Sequence, residues 1–268
     1  MKTLLPLILA LLAACSSGPS ALTADSTPPA GPFDHDHAIL DGLLSRHVKV
    51  DGVDYRGLAT EREELDRYLA GLQSVAPAEL ESWTRDQQMA FWINAYNAHV
   101  LRLIVDHADD PPESIRDLGG SLVDRIWDKP LVPVAAGGDG AMSLDDIEHG
   151  ILRPGFEDAR IHAAINCASG SCPPLLAGAY RAETLDSQLD EAMRAFVNDP
   201  SLNKIDPETG ELELSAIFDW FEEDFTRDGG TVQSYVQEYV VSDEKDWILE
   251  AEVDHKDYDW SLNEASDE

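Results

Sequence analysis

The stretch 84–107 constrains the fold more than any other part of the chain. Thr84-Arg85-Asp86-Gln87 has the form of a capping box, in which a hydroxyl and a side-chain amide satisfy backbone donors at a helix start. Beyond it the hydrophobic period predicts a helix over roughly 85–107. Met89-Ala90-Phe91-Trp92-Ile93-Asn94-Ala95-Tyr96-Asn97-Ala98-His99 is apolar on nearly every face, so that helix must be central and buried. Ile93, Val100 and Ile104 form a stripe at helical spacing, and Asn97 falls within it. An unsatisfied buried amide costs on the order of a few kcal/mol, so Asn94 and Asn97 need partners. Either they satisfy neighbouring backbone in the core, or one of them orients a catalytic imidazole.

Shorter elements surround this helix. Residues 35–49 carry Ile39, Leu43, Leu44 and Val48 on one side, and Thr60-Glu61-Arg62-Glu63 reads as a second capping box opening a helix with Leu65, Leu69 and Leu72. Trp127 heads a proline-rich run to Val134 that reads as an edge strand, and 137–140 form a glycine loop. Ser143 caps a helix bearing Leu144, Ile147 and Ile151, on which adjacent Glu148 and His149 point about 100° apart. Residues 185–198 read as an amphipathic helix, 202–214 as a hairpin turning at Pro207-Glu208-Thr209-Gly210, and 253–263 as a weakly alternating tail. The expected class is α+β: a helix-rich single domain, its long central helix packed on a small, mostly antiparallel sheet.

Residues 1–15 read MKTLLPLILALLAAC, with one lysine, an apolar run and Leu12-Ala13-Ala14-Cys15 at its end. That is a secretory signal closing in a lipobox-like sequence. The expected divisions are a signal peptide over 1–14, a lipidated Cys15 with a flexible Ser/Pro/Gly linker to 32, the domain over 33–263 and an acidic tail over 264–268. Acyl chains on Cys15 would anchor the protein in the bilayer, and Ser16 after it fits an outer-membrane lipoprotein facing the periplasm. The charge excludes some partners. With 52 acidic against 19 basic residues the net charge is −33, which repels nucleic acid and anionic headgroups. The same acidity suits either a high-salt habitat or an acidic exported protein.

Chemistry concentrates in 158–176. This stretch holds His162, Asn166, Cys167 and Cys172, the last two being the only cysteines besides Cys15. Ile161, Ala163 and Ile165 alternate with His162, Ala164 and Asn166, which predicts a strand whose His162 and Asn166 share a face. Small residues Ser169-Gly170-Ser171 allow a tight turn, and Pro173 has the φ of a first helical position, which would set Cys172 at a helix N-terminus.

Four ordered motifs carry a resemblance. Ala90-Phe91-Trp92-Ile93-Asn94-Ala95-Tyr96-Asn97-Ala98; Ser143-Leu144-Asp145-Asp146-Ile147-Glu148; Arg160-Ile161-His162 with Cys167 and Ser171-Cys172-Pro173; and Tyr258-Asp259-Trp260-Ser261-Leu262-Asn263 together resemble the domain of unknown function 547 family across roughly 40–263. The family implies no settled activity. A more distant similarity to papain-like thiol hydrolases would require a permuted order, since Asn94, Asn97 and His162 all precede Cys172.

Three chemistries fit these residues. In a cysteine hydrolase or acyltransferase acting on a peptide-like or amide-containing small substrate, Cys172 is the nucleophile, His162 the base, and Asn97 or Glu148 holds the imidazole. Asn94, Asn166, Cys167 and Trp127 would then line the binding site. In a binding or scaffold module, Cys167 and Cys172 form a disulfide, as an oxidising compartment favours. Cys167, Cys172 and His162 could also hold a metal, but the spacing is not that of a zinc ribbon or finger and no fourth ligand is evident. The expectation is a site with neither metal nor cofactor.

Overall fold

A computed structural model describes residues 26–119, 125–133, 141–242 and 244–266. The expected signal peptide, Cys15, most of the expected linker, Val134 and the 137–140 stretch lie outside the described residues. Among the described residues no helix is long and apolar enough to cross a membrane.

The chain opens with α1 (Ala38–His47), a two-strand antiparallel turn of β1 (Val48–Lys49) and β2 (Gly52–Val53), then α2 (Tyr55–Thr60) and α3 (Arg62–Ser74). Thr60 ends a helix instead of capping one. Asp54 caps α2 first, its carboxylate accepting from Gly57 N, and the Thr60 hydroxyl folds back onto the Gly57 carbonyl. After α4 (Pro77–Glu81) comes α5 (Arg85–Val105), closed at its start by the reciprocal Thr84–Gln87 bonds at 3.2 and 3.0 Å. From Met89 to Val105 every residue of α5 is buried. Helices α2 and α3 pack on it, and its one buried arginine, Arg102, reaches Asp66 of α3 at 2.5 Å.

Ser143 and Asp146 make a second reciprocal box at 3.0 and 2.9 Å, opening α6 (Leu144–Ile147). The helix widens into a π turn over Glu148–Leu152 and continues as α7 (Arg153–Phe156). The remaining elements are α8 (Ile161–Ala164), α9 (Leu185–Asn198), the β3 (Lys204–Asp206) and β4 (Glu211–Leu214) hairpin, α10 (Ala216–Trp220), α11 (Glu222–Phe225), α12 (Val232–Tyr239) and β5 (Val253–His255). β5 pairs with β4 in parallel, and the tail completes a three-stranded sheet.

The architecture is α+β and dominated by helices, with two apolar clusters. One surrounds α5; the other gathers α9 to α12 and the three-stranded sheet.

Three local expectations differ. Residues 161–164 form a helical turn, not a strand: 161–166 are all buried, so the alternation had no solvent face to report. No helix follows Cys172, because Pro174 drives the preceding Pro173 out of the helical region. At Trp127 the chain makes a 3₁₀ turn (Ile126–Asp128), and among the described residues of the run only Val132 forms a bridge, to Met142.

Candidate functional site

A cleft opens where the two apolar clusters meet, enclosing about 180 Å³. Its back wall is Tyr96 of α5, its acidic wall comes from the 143–156 helix, its floor is the Cys167–Cys172 pair, and its mouth is rimmed by Trp127, Trp220, Tyr258 and Trp260.

The acidic wall follows from the π turn, a feature frequent at functional sites. Glu148 begins it, and both Glu148 and His149 line the cleft. The sequence expectation that the two diverge holds for α geometry; the wider turn and the breadth of the cleft admit both. The Glu148 side chain is 12% exposed, and its nearest recorded charge partner is His149 Nδ1 at 4.0 Å. Burial pushes its carboxyl up to about 7, with Asp145 and Asp224 adding to the effect and Arg153 opposing it. Asp145 rises to about 6, mainly through burial and its contact with Asp128, against the pull of Arg125. Arg125 is committed to both, with Nη2 2.8 Å from Asp128 Oδ1 and 2.8 Å from Asp145 Oδ2.

His162 lies behind this wall. It is buried, stacked on Phe221 with ring centroids 4.0 Å apart, and its Nε2 is 2.8 Å from Asp224 Oδ2. Burial lowers its pKa despite Asp224, so the ring is neutral and Nε2–H donates. The Asp224 carboxylate is buried, which opposes its ionisation. Donation from His162 and Arg153 nonetheless holds it well below the usual carboxylate range. Arg153 Nε (2.6 Å) and Arg227 complete its shell.

The floor is a loop tied at every step. Asn97 Nδ2 donates to Ala164 O at 2.9 Å while its Oδ1 accepts from Asn166 N at 2.9 Å, standing in for a strand partner. Asn166 closes the loop, donating to Pro173 O (2.9 Å) and accepting from Ala168 N (2.8 Å). Ala168 is fully buried at φ 60°, a left-handed conformation that non-glycine residues seldom adopt. The C-terminal tail covers the loop: Gly170 N bonds Ser261 O at 2.7 Å and Asn263 N bonds Ala168 O at 3.2 Å. Gly170 suits this close approach, since an added Cβ would stand 3.0 Å from Asp259 Oδ2. Within the loop Cys167 and Cys172 are joined in a disulfide, their Cα atoms 6.3 Å apart. Cys172 Sγ accepts from Cys167 N at 2.9 Å and lies 3.3 Å from Ser169 Oγ and 3.4 Å from the Tyr258 hydroxyl.

The expected nucleophile–base pairing therefore does not form. Cys172 is buried and bonded to Cys167, and His162 is committed to Asp224; among the described residues no histidine nitrogen bonds either sulfur. Asn97 holds backbone and no imidazole. Asn94, likewise, bonds both backbone polar groups of Tyr180, at 2.7 and 3.0 Å. Glu148, Trp127, Cys167, Cys172 and His162 do line one cleft, whereas Asn166 supports it from below. Sequence reading missed Asp224, which stands 62 residues from His162 with no motif to mark it. It also left unused Asp145, Tyr258 and Trp260, all three inside quoted motifs. No group of three or more metal-ligating side chains converges among the described residues. What the cleft offers is a carboxyl poised near neutrality beside aromatic faces, over a closed sulfur pair.

No curated protein and no solved structure matches the chain. The family model described as "Protein of unknown function, DUF547" matches residues 80–197. That span holds the central helix, the π turn and the disulfide loop, but ends before the Tyr258–Asn263 motif that roofs the loop. The matched span, residues 80–197, is similar to the family that the first three motifs resemble.

Proposed function

We propose that this protein is a ligand-binding module of the bacterial envelope, tethered at the outer membrane through an acylated Cys15 and stapled by Cys167–Cys172. The observation that carries the reading is the state of the floor. Both sulfurs are spent on one another at the base of an aromatic cleft, and hydroxyls surround them where a base would be needed. The N-terminal sequence supports the tether, since Leu12-Ala13-Ala14-Cys15 has the form of a lipobox.

The test is alkylation of the full chain, purified without reductant. Iodoacetamide should leave Cys167 and Cys172 unmodified until a reductant is added. Cys167→Ser and Cys172→Ser should each lower stability by a similar amount, about 2 kcal/mol for so small a closed loop. Rapid alkylation of Cys167 or Cys172 in the unreduced chain overturns the reading.

A second reading, thiol hydrolysis or acyl transfer on a peptide or amide bond, has one observation in its favour. The donors around Cys172, a backbone N–H and two hydroxyls, are those that would hold a thiolate once the bond to Cys167 is reduced. That reading expects amide-directed electrophiles to label Cys172 faster than Cys167 after reduction.

A further inference from the structure

We propose that the cleft takes an organic ammonium group carried by a small soluble molecule, its cationic head between the aromatic rim and the Glu148 carboxylate. This rests on the reading of the cleft as a binding site. Three observations converge on it.

The rim presents π faces. Trp220 is 47% exposed at the mouth, its ring 4.8 Å from Tyr258 and 6.0 Å from Trp260 between centroids. Rings that line the cleft already accept cations from the protein itself: the guanidinium of Arg116 sits 5.0 Å over Trp260 of the rim, and that of Arg153 sits 4.9 Å over Phe221.

The charges are unbalanced in one direction. Arg125 is taken by Asp128 and Asp145, and Arg153 by Asp224 and Glu223. Glu148 holds no such guanidinium, and its position near neutrality has the same cause, a buried carboxyl lacking a counter-ion. A bound cation supplies what is missing. An anion would meet Glu148, Asp145 and the field of a chain carrying −33, while a neutral ligand would leave Glu148 to stay protonated or to ionise alone.

The size fits a head and not a polymer. A volume of about 180 Å³ is that of roughly six waters, enough for a substituted ammonium and a short stem.

The test compares choline with its uncharged isostere 3,3-dimethylbutan-1-ol on the oxidised full chain at pH 8, by tryptophan fluorescence and calorimetry. Choline should bind about tenfold or more tightly than the alcohol. Glu148→Gln should remove that preference while leaving the alcohol unaffected, and Trp220→Ala should weaken both. Melting curves of both variants confirm that they fold; should Glu148→Gln fail to fold, loss of the preference at pH 5 in the unaltered chain takes its place. Free choline should bind with no sedimentation of the protein on phosphatidylcholine vesicles, whereas sedimentation blocked by choline would move the site to a lipid headgroup and overturn the soluble source. Equal affinity for the two probes, or binding of neither at millimolar concentration, overturns the cation assignment and leaves the staple untouched. Rapid alkylation of Cys167 or Cys172 in the unreduced chain would instead sink the binding-module reading, independently of the choline comparison.

Discussion

Glu148 is where stability and recognition pull apart. Its carboxyl titrates near 7 in the folded chain against 4.5 for an ordinary glutamate, so ionising it in place costs about 3 kcal/mol. Because the folded value is raised, the stability of the protonated form is fully present below about pH 4.5 and is lost as pH rises through 7, where the cost of ionisation takes its place. Glu148→Gln should therefore raise stability by about 2–3 kcal/mol at pH 8 and change it little at pH 4, as urea unfolding at the two pH values would read. A gain at pH 4 equal to that at pH 8 would mean that titration is not the cause. Asp224 has the opposite sign. Held below the ordinary carboxylate range, it stabilises above that range, and the contribution fades as pH falls. Asp224→Asn leaves Arg153 and Arg227 facing a neutral amide and should cost about 3 kcal/mol at neutral pH. Urea midpoints unchanged by that substitution would remove the network from any structural role.

Among the elements, α5 and the π turn are built by different means. The Thr84 box only starts α5; its persistence comes from the buried faces that follow. Thr84→Ala should thus lose about 1 kcal/mol, by chemical denaturation, with helix content by circular dichroism retained. Caps and periods are local, which is why Thr84, Ser143 and the helix Leu185–Asn198 could be read from the chain. The helical turn at Ile161–Ala164 could not, because full burial removes the polar face that distinguishes period 2 from 3.6. There the conformation is set by Asn97, a side chain 67 residues from the carbonyl it holds. The widening at Glu148 leaves no mark in residue type either.

For the whole molecule, net charge −33 acts against compactness and in favour of cations. Raising salt from 0.01 to 1 M shortens the screening length from about 30 to about 3 Å. Melting temperature should rise over that interval while choline affinity falls, since one field drives both effects. A melting temperature that falls with added sodium chloride would show that self-repulsion is not limiting.

The sequence by itself determined the buried central helix, the capping boxes that start it and α6, the α+β class, and a cysteine pair close enough to bridge, because each rests on spacing within a few residues. Only the tertiary structure decided what surrounds the sulfurs. His162 turned to Asp224, Asn97 to the loop backbone, and the tail brought Tyr258 and Trp260 over the floor. Each of those partners competes for a buried polar group that must be satisfied somewhere, and which one wins depends on packing that no local pattern encodes.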